Sequence, residues 1–237
     1  MGICASCLGK AYTSQVEYRK DIWFAPRWML ACFYRKRNEI GDSFPKHPDF
    51  KAMKEAWIVS VMMLGMMKHL GRGGWVQLVD QTKEDTPDVR TGFLMNGPGE
   101  SGRFHFQDVE VVTLTSYSTE PIEEFLKRTK LSKKKVYQAD TIILCYVDKD
   151  LQTKQWTEIQ KDLATTNAPY DVYLLGRTDK DKRHYQLARV HPNLDQAVRF
   201  DIEEEIKKDY GFKNTLRLGA RSMKPSMTTT DEHYRPF

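Results

Sequence analysis

Apolar and polar residues change their spacing repeatedly along this chain. Between 49 and 70 the apolar side chains recur at helical intervals, with Met62, Met63, Met66 and Met67 as core filling. The Gly71, Gly73 and Gly74 cluster then stops the helix. From Trp75 the period falls to two. Segments 75–79, 89–95 and 104–115 predict three strands, with Gly97, Pro98 and Gly99 turning the chain between the last two. A helix is expected over 118–130, where Glu120, Pro121, Glu123 and Glu124 suit a first turn. The run 141–147 is continuously apolar and of strand length, as in a strand buried on both faces. Segment 151–163 predicts a helix with Trp156, Ile159 and Leu163 on one side. Two strands, 171–176 and 185–190, and a short helix over 201–210 complete the series. Upstream, apolar positions 24, 28 and 31/32 suit a helix starting near Pro26, and Pro45 and Pro48 mark a linker.

Such alternation predicts an α/β fold, with a mixed central sheet flanked by helices. Three regions follow: an N-terminal extension over 1–48, an α/β domain over 49–212 and a tail over 213–237. With 40% hydrophobic and 29% charged residues among 237, the chain is neither disordered nor collagen-like. Its longest nearly apolar stretch, 56–67, is interrupted by Ser60 and Gly65 and falls short of the roughly 18 residues a membrane span needs.

Four cysteines, Cys4, Cys7, Cys32 and Cys145, are too few and too scattered for a disulfide framework, which points to an intracellular, cytoplasmic chain. Cys4 and Cys7 lack a second close pair for a zinc clip. The start, Met1-Gly2-Ile3-Cys4-Ala5-Ser6, fits the N-myristoylation pattern at Gly2. One acyl chain holds a membrane only marginally, so Cys4 and Cys7 would supply the second signal by palmitoylation. On that basis one alternative expectation is a non-catalytic, lipid-anchored interaction protein at a membrane surface.

A different chemistry comes from the strands. Pro87-Asp88 opens the second, and Gln107-Asp108-Val109-Glu110-Val111-Val112 lies within the third. Those acids, placed after a helix and within a three-strand meander that a helix and a buried strand follow, resemble the PD-(D/E)xK, or restriction-endonuclease-like, nuclease superfamily over about 49–190. The resemblance implies Mg²⁺- or Mn²⁺-dependent phosphodiester hydrolysis of nucleic acid. Asp88, Asp108 and Glu110 would hold the metal, and Glu55 on the first helix would assist. Strand alternation places Asp108 and Glu110 on one face, where two acids among valines need a compensating cation. The alternative for these acids is surface placement on an edge strand, and for Glu55 a helix-dipole contact. The family's lysine is missing two positions after the third-strand acid. Either Glu110 stands in its place, or Lys127 or Lys130 serves from the neighbouring helix; without a substitute the enzyme would be weak or inactive.

Charge adds a partner. Lys127, Arg128, Lys130, Lys133, Lys134 and Lys135 form a basic run with no acid, in a chain whose net charge is +5. Such a run would attract a phosphate backbone, or simply solvate a helix end. The six histidines show no HExxH spacing, and no Walker loop, Rossmann fingerprint or G-x-S-x-G elbow occurs.

Overall fold

The computed structural model describes residues 22–41, 50–79, 87–95, 103–131, 137–138, 140–148, 153–164, 171–178, 183–195, 197–208 and 215–217. Their elements run β1 Ile22–Phe24, α1 Pro26–Ile40, α2 Lys51–Leu70, β2 Gly74–Leu78, β3 Val89–Met95, β4 Arg103–Leu114 and α3 Ile122–Thr129. After these come β5 Ile142–Val147, α4 Thr153–Leu163, β6 Asp171–Arg177, β7 His184–His191, β8 Val198–Asp201, α5 Ile202–Lys207 and β9 Thr215–Arg217. The strands form one open mixed sheet of nine in the order β8-β7-β6-β5-β4-β3-β2-β1-β9. Strands β4, β5 and β6 are parallel neighbours, and every other adjacent pair is antiparallel.

Helices cover both faces. On one, α2 lies against the sheet, flanked by α1 and α5, and its methionines meet Val109, Leu144 and Tyr173 in one core. Helix α2 is buried around most of its circumference because strands lie beneath it and helices beside it, so it shows no clean polar stripe. It stops at Gly71, whose φ of +63° is the left-handed conformation glycine adopts freely; the Gly71 N–H donates to the Met67 carbonyl. On the other face, α3 and α4 bury Ile122, Leu126, Trp156, Ile159 and Leu163 against Ile143, Cys145 and Leu174. Strand β5 therefore has cores above and below, which explains its unbroken apolar run.

The sheet extends past 49–212 on both sides. Strand β1 pairs with β2 and β9, so residues outside the expected domain complete one sheet edge. Trp23 in β1 is buried and sits edge-on to Phe104, with ring centroids 4.7 Å apart. Helix α3 begins at Ile122 and not at 118, because Pro121 is extended (φ −57°, ψ 145°) and caps it. Of the expected linker over 41–48, Gly41 caps α1 with φ +76°, and 42–48 lie outside the described residues.

Helix α5 depends on its cap. Asp201 accepts hydrogen bonds from the Glu203 and Glu204 backbone N–H groups at 2.8 and 3.3 Å, and from Arg183 Nη2 at 2.7 Å. Desolvation pushes the Asp201 carboxyl upward, but the backbone donors and the guanidinium together outweigh it and hold it below the usual range. Asp201→Ala should cost about 1–2 kcal/mol at neutral pH, measured by urea unfolding. Because the folded value is depressed, this contribution is complete above the unfolded carboxyl value of about 3.9. It fades as pH falls through the folded value, so the gap between variant and wild type should close below about pH 4.

Candidate active site

The acidic cluster gathers where β5 begins beside β4: Glu110 lies opposite Ile143 and four residues before β4 ends at Leu114. Register decides which acids meet. Val89 lies opposite Val109 and Arg90 opposite Asp108, so the residue just before β3, Asp88, falls beside Glu110. Strand β4 runs on past the start of β3. The Val111 N–H is thereby left for a side chain, and Asp88 Oδ2 accepts it at 2.7 Å. This contact fixes the Asp88 carboxylate at the strand end.

Glu110 projects between the sheet and α3, next to Ile143 of β5. The last turn of α3 brings Lys130 back over it. Lys130 Nζ lies 2.5 Å from Glu110 Oε2 and 3.6 Å from Asp88 Oδ2, and the three side chains are only 13–16% exposed. From the opposite face, Lys51 in the first turn of α2 reaches Glu55 Oε1 at 3.2 Å and Asp88 Oδ1 at 3.9 Å. Burial draws the Lys51 ammonium down, yet Glu55, Asp88 and Glu110 together hold it above its ordinary value. Glu55, Lys51, Asp88, Lys130 and Glu110 thus form a continuous chain of alternating charge around the start of β3. Two ammoniums against three carboxylates leave one negative charge.

Asp108 has a different partner. Arg90, directly opposite it, donates through Nε to Asp108 Oδ1 at 2.7 Å, and the guanidinium also lies over the Phe106 ring. Among the described residues, no group of three or more His, Cys, Asp or Glu side chains is placed to hold a metal ion. Asp88 and Glu110 are both within 4 Å of the Lys130 ammonium. Two carboxylates suit Mg²⁺, which usually takes one or two from a protein and keeps water or phosphate oxygens elsewhere.

Of the basic run, Lys130 belongs to this cluster, and Arg128 grips Glu120 through two hydrogen bonds of 2.7 and 3.0 Å. Lys127 is half-buried in the last turn of α3. Lys133, Lys134 and Lys135 lie outside the described residues, as do Gly2, Cys4 and Cys7. No described helix is long and apolar enough to cross a membrane. Cys32 and Cys145 are buried, and burial pushes the Cys32 thiol up to about 11.

Two members were not anticipated. Lys51 carries only the weak signal of an i,i+4 spacing to Glu55, and Arg90 could be found only from the hairpin register. Comparison of the chain with family models, curated proteins and solved structures gave no match, so its own residues carry the functional argument.

Proposed function

We propose that the chain hydrolyses phosphodiester bonds of nucleic acid with the help of Mg²⁺ or Mn²⁺, at the site formed by Asp88, Glu110 and Lys130. One observation carries this: Lys130 Nζ rests on Glu110 and beside Asp88, so the lysine missing from the third-strand motif is supplied by the following helix. The order α2-β2-β3-β4-α3-β5, with β2, β3 and β4 an antiparallel meander and β5 parallel to β4, agrees with a restriction-endonuclease-like core.

Asp88 and Glu110 would hold the metal through carboxylate oxygens. When bound, the ion polarises a phosphoryl oxygen and acidifies a water. The remaining work falls to the chain. Lys130 donates to the phosphoryl oxygen on which charge builds in the transition state. The Val111 N–H holds Asp88 in place, and Lys51, backed by Glu55, steadies its other oxygen. Glu55 is therefore a positioning residue acting through Lys51. Asp108, paired with Arg90, is left outside this assignment.

End-labelled single-stranded and duplex DNA and RNA, incubated with pure protein in Mg²⁺, Mn²⁺ or EDTA, test the proposal. Cleavage should appear with either metal, vanish in EDTA and fall at least about 10²-fold in Glu110→Gln. Cleavage that persists in EDTA, or that Glu110→Gln leaves intact, would refute it.

A further inference from the structure

A second feature opens beside the carboxylate cluster, on the α2 face of the sheet. It is a cleft of about 490 Å³, within the range of small-molecule sites. Its floor is aromatic: Tyr146 at the end of β5 and Tyr185 at the start of β7 are buried and share a hydrogen bond. Trp57 of α2 meets Tyr146 edge-on at 5.7 Å and stacks on Phe33 at 5.3 Å. At the rim, Tyr34 receives a long 3.4 Å hydrogen bond from Trp57 Nε1 and is 37% exposed. Burial pushes the Tyr146 phenol up to about 12 and Tyr185 higher still, so both hydroxyls stay neutral donors and acceptors at ordinary pH.

The rim is cationic. Arg37, Lys54, Arg177 and Arg183 line the cleft, against the carboxylates Asp148 and Glu203. With Asp201 behind Arg183 counted as a third carboxylate, four positive charges against three negative leave the rim net cationic. Asp148 anchors Arg177, and Asp201 and Glu203 hold Arg183, so these guanidiniums are fixed before any ligand arrives.

From this juxtaposition we infer that the cleft binds one nucleotide, its base stacked against Tyr34 and Trp57 and its phosphate held by Arg37, Lys54 and Arg177. Planar rings with hydroxyl groups between them suit a base, and a guanidinium fork suits a phosphate. The nucleotide is either free or part of a single strand. Lys54 and Trp57 sit next to Lys51 and Glu55 on α2, where each residue advances the helix by about 1.5 Å. A strand with one nucleotide in the cleft would therefore reach Lys51 and Glu55, the α2 side of the carboxylate cluster. Only this last placement rests on the hydrolase proposal; binding itself does not.

Calorimetric titration in EDTA, where metal-dependent cleavage is silent, separates the two. Nucleoside 5′-monophosphates and a short single-stranded oligonucleotide are the probes, with nucleosides, inorganic phosphate and phosphotyrosine as controls. At least one probe should bind, and Tyr34→Ala should weaken it about tenfold. Arg37→Gln should weaken the monophosphates about tenfold and leave nucleosides unchanged. Both residues are exposed, so neither change threatens the fold. An oligonucleotide displaced by monophosphate identifies a strand as occupant; monophosphate binding alone identifies a free nucleotide. Binding of neither probe, binding unchanged in both cleft variants, or a preference for phosphate or phosphotyrosine overturns the inference, whatever the cleavage assay shows.

Discussion

Lys130→Met should lower Mg²⁺-dependent cleavage by about 10²–10³-fold, the usual loss when one preorganised charge stabiliser is removed. Methionine keeps the length and most of the apolar stem, so α3 should stay docked. What disappears is the ammonium 2.5 Å from Glu110 and 3.6 Å from Asp88. If Lys130 acts on developing charge, the loss belongs to kcat, and KM should move little. Far-ultraviolet circular dichroism of the variant separates this effect from misfolding. A fall confined to KM would instead make Lys130 a backbone-binding residue.

The largest stability effect should come from Leu126→Ala. Leu126 is fully buried, at 0% exposure, where α3 meets Ile143, Cys145 and Trp156. Truncation of such a side chain costs about 2–5 kcal/mol, because lost transfer energy adds to the cavity left behind. Position gives the change a second consequence. The Leu126 carbonyl accepts the Lys130 backbone N–H at 2.9 Å, so the same turn that fills the core aims the site lysine. Urea unfolding should show the loss, and cleavage at temperatures where the variant remains folded should also fall. A cost under about 1 kcal/mol would mean that α3 is not anchored as described.

Much of this architecture is legible in the residues alone, for identifiable reasons. The 141–147 run and the 49–70 helix announce themselves because full burial demands apolar side chains in quantity. Strands β1, β8 and β9 do not: at three or four residues they are too short to display alternation, and only their sheet partners define them. Pro121 delays the start of α3 to Ile122, four residues after the expected start at 118.

The site is legible in the sequence as acids just before β3, at Asp88, and within β4, at Asp108 and Glu110. Asp88 and Glu110 meet, and Lys130 reaches them as one of the two expected substitutes for the missing lysine. Sorting Asp108 from Glu110 required the register. The pairing is symmetric about position 99, which sets Arg90 against Asp108 and leaves Asp88 beside Glu110. Alternation alone puts both acids on one face and is silent on which neighbour each receives. The aromatic cleft could not be read at all, since α1, α2, β5, β7 and α5 supply its walls from distant parts of the chain.

The central claim is that Asp88, and not Asp108, shares the working site with Glu110 and Lys130. Single-turnover cleavage of one labelled strand in Mg²⁺ by Asp88→Asn and Asp108→Asn, side by side, tests it most directly. Asp88→Asn should lose at least about 10²-fold, whereas Asp108→Asn, which disturbs only the pair with Arg90, should stay within a few-fold of wild type. Equal activity of the Asp88 variant and wild type, or the larger loss in the Asp108 variant, would contradict the assignment.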